Sequence, residues 1–354
     1  MTVYTKIFSV LLILFLSDQC LYAQDLDSLP SGKFMNPFTL PASDADSSYI
    51  LKYARANDIR VLYGGEGTSL AYGSKRNGGQ KINADVYNNV NDLIGFGITY
   101  KILDADISYS LPKTRLMEED RENLEQFRLS LSYTGRHYAL RGFLIDSKGV
   151  VSEDVAKQFK SNADVRFFKV GAQVTYYFNA QKYSYRAANF QSELQRKTAG
   201  SFLLRLEPSY KQLEAKSGLV PESRDLVSVY GEQAGLQHVN APGLLVMPGY
   251  GVNVVVAKGK FFFSPYVMGG PGFAVNTYKS DQGNLSAVNM EWAAIMALNI
   301  GYNGDRAYAA FKVAGDLYYT PLNPAYFTTT SLKINITVGY RFKNIEKFIP
   351  ATFL

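Results

Sequence analysis

The stretch SLKINITVGYRF, residues 331–342, constrains this chain more than any other feature. Leu332, Ile334, Ile336, Val338, Tyr340 and Phe342 share one parity, and Ser331, Lys333, Asn335, Thr337, Gly339 and Arg341 share the other. Successive side chains of a strand point to opposite faces, so this segment builds one wholly apolar face and one wholly polar face. The apolar face must look either into a protein core or into lipid.

The same period of two recurs along the chain, with helical periodicity almost absent. It predicts twelve strands: 59–72, 93–102, 105–111, 125–133, 138–145, 165–178, 198–212, 244–257, 260–278, 292–302, 307–319 and 331–342. Several joins are tight (LDAD at 103–106, TGRH at 134–137, AKGK at 257–260, NGDR at 303–306). Asn303-Gly304 is a hairpin signal, because a type I′ turn needs positive φ at both central residues. Between the tight joins lie longer polar connections at 73–92, 112–124, 146–164, 214–241, 279–289 and 320–330. An even number of antiparallel strands with short turns on one side and long loops on the other is the pattern of an outer-membrane barrel. One position breaks it: 179–197 should be a short periplasmic turn and is long.

Charged residues make up only 19% of the sequence, against about 25% in ordinary soluble domains. A soluble sandwich would place lysine and glutamate on its solvent face, whereas here the polar faces are largely glycine, serine, threonine and tyrosine with isolated charges. Aromatic residues gather near strand ends, as in the girdles where lipid meets water. The apolar face of 331–342 is therefore expected to meet lipid. The expected fold is all-β, an antiparallel transmembrane barrel of about twelve strands.

At the N-terminus, Lys6 precedes the apolar run IFSVLLILFL, and Ala23 offers a small residue for cleavage, the plan of a secretory signal peptide. The run is too short for a helical span, and no later run reaches the ~20 residues one needs. The single cysteine, Cys20, follows Gln19 where lipid attachment would need a small residue, so a lipoprotein is disfavoured. The expected organisation is a signal peptide over 1–23, a periplasmic or lumenal segment over 24–57, the barrel over 58–342 and a tail over 343–354. The net charge of +6 is dispersed, with no basic run of the kind that grips nucleic acid.

Three stretches carry a family resemblance: SSYILKYARANDIRVLYG at 47–64, YSYRAANFQSELQRKTAGSFLL at 183–204, and the closing GYRF. Together they resemble the Bacteroidota family known as domain of unknown function 4421. The resemblance spans nearly the whole mature chain. It implies an exported barrel and brings no activity, because none is assigned to that family. GYRF also resembles the terminal signal read by the barrel-assembly machinery, an expected partner alongside outer-membrane lipid.

A charge facing lipid at mid-membrane costs about 2–4 kcal/mol, so Arg60, Arg128, Lys169, Arg205, Glu207, Glu291, Lys312, Asp316, Lys333 and Arg341 are expected to line the lumen. Tyr185, Arg186, Gln191 and Gln195, in the segment that breaks the turn rule, are candidates to gate that lumen or to bind a periplasmic partner. Irregular backbone is tolerated in a barrel where it enters the lumen or leaves the membrane. Asp104 and Asp106 share a face and could serve acid–base chemistry or calcium, although a solvated rim accounts for them more simply. The two histidines, His137 and His238, fall on opposite sides of the membrane, and neither sits on a strand beside a serine as a surface lipase would need. No catalytic residue, metal site or cofactor is expected. The leading expectation is a monomeric narrow channel or small-solute-binding pore with a mildly basic lumen. The alternative is a non-conducting barrel serving as a structural or interaction platform through its external loops.

Overall fold

A backbone that crosses a membrane must pair all its polar groups internally, and a sheet does so only by closing on itself. The computed structural model describes residues 45–55, 57–74, 82–111, 125–153, 159–216, 236–280, 283–321 and 325–343. The signal peptide, the first part of the N-terminal segment and residues 344–354 lie outside the described residues. Twelve strands close into one antiparallel barrel: β2 (Asn57–Ser74), β3 (Ile82–Tyr100), β4 (Leu103–Ser110), β5 (Glu125–Thr134), β6 (Tyr138–Glu153), β7 (Phe159–Tyr177), β9 (Ala199–Ala215), β10 (His238–Val256), β11 (Phe261–Ser280), β12 (Gly283–Asn303), β13 (Ala307–Pro321) and β14 (Ala325–Phe342). Each pairs with the next, and β14 closes the ring on β2, from Asn57 opposite Phe342 to Ser74 opposite Ala325. The remaining strands, β1 (Ile50–Lys52) and β8 (Glu193–Gln195), form a separate two-stranded sheet.

All twelve expected strands are present. Their ends on the loop side run further than the hydrophobic pattern indicated: 146–164 is mostly β6 and β7, and 279–289 mostly β11 and β12. There the alternation of polarity ends but the backbone ladder does not, so the strands project past the apolar band. β4 and β5 are short, and above them β3 and β6 pair directly through Val86–Ser152 and Tyr87–Val151.

The opening stretch has the orientation expected. Leu332, Ile334, Ile336, Val338 and Tyr340 are all exposed on the outside, while Thr337 and Arg341 are buried. Phe342 departs from the pattern and is buried at 6% exposure. Aromatic pairs ring the short-turn end, Phe202 with Tyr250 at 5.2 Å, Phe261 with Tyr302 at 5.4 Å and Tyr176 with Phe178 at 5.0 Å between centroids. Trp292 and Phe273 face outward nearer the other end. A closed sheet with an apolar outer band and aromatic girdles is the architecture of a transmembrane barrel.

The Asn303-Gly304 turn is not type I′: neither residue has positive φ, which among the non-glycine described residues occurs at Lys101, Gln191, Ala257 and Lys258. Asn303 is buried, and its side chain has another task, described next.

Candidate functional site

Residues 179–198 form a plug. Ser184 caps the helix α1 (Tyr185–Asn189), its hydroxyl accepting from the Ala187 N–H at 3.0 Å and donating to Glu193 Oε2 at 2.6 Å. After α1 the backbone turns through Gln191, at φ 54°, into β8, which pairs with β1. Residues 45–55 of the N-terminal segment thus belong to the same layer, and Tyr53 Oη donates to the Asn303 carbonyl at 2.8 Å.

The layer is held to the barrel around its circumference. Arg186 Nη2 donates to the Lys101 carbonyl at 2.6 Å, in the β3–β4 turn. Arg136, in the β5–β6 turn, lies 3.7 Å from Glu193. Tyr185 stacks on Tyr177 of β7 with centroids 5.2 Å apart. Asn253 of β10 donates to the Ser184 carbonyl at 2.9 Å and to Gln195 Oε1 at 3.1 Å. Asn303 Nδ2 donates to the Glu193 carbonyl at 2.9 Å. Lys312 of β13 donates to the Asn189 carbonyl at 2.8 Å, so the end of α1 meets a lumenal side chain. Arg341 of β14 donates to the carbonyls of Gln191 and Gly304 and to Asn303 Oδ1, between the rings of Tyr53 and Tyr308. A side chain at Gly259, which has φ of 90°, would run into the Gln195 carbonyl.

The apolar side of the plug, Ala180 and Tyr183, packs on the inner wall formed by Leu203, Leu245, Met247 and Met268. Gln191 and Gln195 are buried at 0% and 2% exposure, and Arg186 at 7%. Gln195 alone bonds the Ser184 N–H and the carbonyls of Lys182 and Lys197. Burial pushes the Tyr53 hydroxyl up to about 12, against the opposing pull of Arg341. Burial likewise holds the Lys52 ammonium below its ordinary value.

Above the plug, charges cross the lumen. Arg60 is enclosed by Asp58, Asp104 and Asp106, at 3.1, 3.6 and 2.8 Å. The rim reading of Asp104 is therefore corrected: at 4% exposure it is an interior partner of Arg60, because its parity turns it inward. Arg128 pairs with Glu66. Lys169 and Lys211 are direct cross-strand neighbours, an arrangement that like charges disfavour. Each has its own acid, Lys169 with Glu207 at 2.9 Å and Lys211 with Glu291 at 2.9 Å, and Tyr318 receives a hydrogen bond from Lys169 at 3.2 Å. Arg205 donates to Thr175 at 3.1 Å, and Asp316 accepts from Ser331 at 3.2 Å. Lys333 stands directly across the sheet from Glu66 and within electrostatic reach of Arg128, Arg141, Asp106 and Asp316.

The lumenal residues named from sequence thus share one interior. Asp58, Glu66, Arg141 and Lys211 were missed, though parity within their strands would have found them. Asn303 and Tyr53 had no such signal, since they act through the plug.

In the outer half of the lumen lies a cavity of about 160 Å³ whose walls include Leu70, Val165, Phe167 and Val239 and whose charged side includes Arg128, Lys169 and Asp316. An apolar cluster including Tyr72, Leu213, Tyr278 and Phe327 adjoins it and spans opposite walls of the barrel. Among the described residues no group of three or more His, Cys, Asp or Glu side chains is placed to hold a metal ion.

No curated protein sequence matches this chain. Among solved structures, the outer membrane protease OmpT from Escherichia coli aligns over 84% of this chain and 100% of its own, with TM-score 0.39 and 9% identity. The COG4313 outer membrane channel from Pseudomonas putida F1 aligns over 81% and 95%, with TM-score 0.36 and 10% identity. The P. putida toluene transporter TodX aligns over 86% and 94%, with TM-score 0.30 and 6% identity. The sequence from residue 44 to 342 matches the model of the domain of unknown function DUF4421. The chain belongs to the DUF4421 family.

Proposed function

We propose that this protein is a monomeric small-solute pore of the outer membrane, reached through the signal peptide and the barrel-assembly machinery, with a basic surplus in its lumen and a closed periplasmic mouth. The observation that carries this reading is the plug. A short helix and a two-stranded sheet are fastened to turns and strands all round one end of the barrel, while a cavity persists in the other half. A barrel stabilised only by filling would need no separable layer and would leave no lined space. Leaving aside Arg341 at the plug, the lumenal side chains named above are eight bases (Arg60, Arg128, Arg141, Lys169, Arg205, Lys211, Lys312 and Lys333) against seven acids (Asp58, Glu66, Asp104, Asp106, Glu207, Glu291 and Asp316), a slight surplus, and among the described residues Arg141, Lys312 and Lys333 form no ion pair. In this reading the barrel is not an enzyme. His137 stands in the β5–β6 turn and His238 opens β10 at the other end, too far apart to act together.

Single-channel conductance of the refolded mature protein, beside a variant lacking Tyr183–Gln195, tests the proposal. A small or absent current that becomes steady and anion-preferring in the variant supports a plugged pore. The cross-lumen ion pairs favour a second reading, a non-conducting platform. Silence from both proteins, each folded by heat-modifiable gel mobility, would replace the pore with that platform.

A further inference from the structure

A transmembrane barrel ordinarily turns polar side chains inward, yet near the outer end of this one the inward side chains are apolar. Phe167 of β7 stands across the sheet from Leu213 of β9, Leu213 from Val239 of β10, and Val239 from Tyr278 of β11. On the far side of the ring Tyr72 of β2 stacks on Phe327 of β14, with centroids 4.9 Å apart. The two walls meet in one cluster, against which Phe167 packs. The cavity of about 160 Å³ is lined by this collar, through Phe167, Leu213, Val239 and Phe327. An apolar space of about 150 Å³ is large enough to take one benzene-sized ring.

Charges border the same space, in equal numbers of acids and bases, and they are spent locally. Arg128 pairs with Glu66, Lys211 with Glu291 and Lys169 with Glu207, while Asp316 accepts from Ser331. A charged solute entering there would lose its water without gaining a free counter-charge, which disfavours acids and bases alike. Asn276 also lines the cavity, buried at 1% exposure, and its Nδ2 has no hydrogen-bond partner. It lies two residues along β11 from Tyr278, the cross-strand partner of Val239, and such a diagonal spans about 7–8 Å. A single ring bearing an oxygen bridges that distance. A buried amide donor left unmet costs about 1–3 kcal/mol, which a ligand oxygen would relieve.

We propose that this cavity binds a small neutral molecule with an apolar body and one hydrogen-bond-accepting oxygen. The oxygen accepts from Asn276, and the body lies against Leu213 and Val239. Ketones, esters and ethers share this chemistry. The inference rests on the solute-pore reading and names its solute class, since ions carry only the current by which a pore is detected.

NMR titration of the refolded barrel with cyclohexanone, against micelles without protein, tests it. Methylenecyclohexane has the same shape without the oxygen, and cyclohexanecarboxylate has the same ring with a charge. Cyclohexanone is expected to bind about fivefold more tightly than methylenecyclohexane, the worth of one neutral hydrogen bond, and at least about tenfold more tightly than the carboxylate. Asn276→Leu should weaken cyclohexanone about fivefold and leave methylenecyclohexane unchanged. Val239→Phe, which fills the space, should abolish the binding of both while gel mobility stays that of a folded barrel. No saturable cyclohexanone binding, binding that Asn276→Leu leaves intact, or a carboxylate that binds as tightly as the ketone overturns the site. A barrel that is silent in bilayers yet binds cyclohexanone keeps the site and loses the pore. One that conducts without binding it does the reverse.

Discussion

Arg341 donates to the main-chain carbonyl of Gln191, tying the last strand of the barrel to a segment 150 residues earlier. The same guanidinium bonds the Gly304 carbonyl and Asn303 Oδ1, so one buried side chain joins β14, the β12–β13 turn and the plug. Arg341→Gln removes these charged donors and leaves buried acceptors unmet, at about 3 kcal/mol. The expected result is a folded barrel with a loosened plug. Arg186 is buried, so trypsin should spare it in the parent protein and cleave there in the variant. An unchanged digestion pattern would show that the remaining fastenings hold the plug without Arg341.

Glu207 is fully buried, and Lys169, Gln173 and Tyr318 surround it. Lys169→Met strands that carboxylate, and breaking one side of a buried pair typically costs about 3–5 kcal/mol. Lys169→Met combined with Glu207→Gln removes both charges and keeps an amide within reach of Gln173 and Tyr318. Urea unfolding in lipid vesicles should show the single variant much less stable than the parent and the double variant recovering most of the loss. Additive losses would mean that the pair contributes little as a pair.

The lipid-facing half of this molecule is legible because a period of two in sequence maps directly onto inside and outside. Leu332 to Tyr340 could be read residue by residue, and the same parity placed Arg60, Lys169, Glu207 and Lys333 in the lumen. What parity cannot give is the partner across the barrel. Asp104 looked like a rim acid because it follows a turn, and only closure of the sheet brings it to Arg60. Asn303 looked like a turn residue by its dipeptide, yet its side chain is claimed by Arg341 and Glu193, which override local turn preference. The length of 179–197 was visible as an anomaly. Its fold was not, because it is stabilised by contacts with the β3–β4 turn, β10, β12, β13 and β14, all distant in sequence.

Gly97 stands beside Arg60 across the sheet, where a Cβ would meet Arg60 Nε at 2.5 Å and Cγ at 2.8 Å. Gly97→Ala should push the guanidinium away from Asp106, with a loss of about 1–3 kcal/mol for overpacking. Gly142→Ala serves as the control, because its Cβ would find its nearest neighbour at 4.0 Å. That change should lie within about 0.5 kcal/mol of the parent. Equal effects at the two positions would remove the case for a tight fit at Arg60.

Ile336 decides what surrounds the barrel. It is 52% exposed at the centre of the outward series, while its neighbour Thr337 is fully buried. On a protein surface in water, Ile336→Lys would be neutral within about 0.5 kcal/mol. Near the midplane of a bilayer the same change costs about 2–4 kcal/mol, because the ammonium must be desolvated or must drag water and headgroups inward. Denaturant titration of the refolded protein in vesicles reads this difference, with Tyr340→Lys as the comparison, since a lysine near the girdle reaches the interface and costs about 0–1 kcal/mol. A large loss at Ile336 and a small one at Tyr340 is expected from a membrane span. Equal, negligible losses at both would place water outside the barrel, and the apolar band would then need a protein partner to cover it.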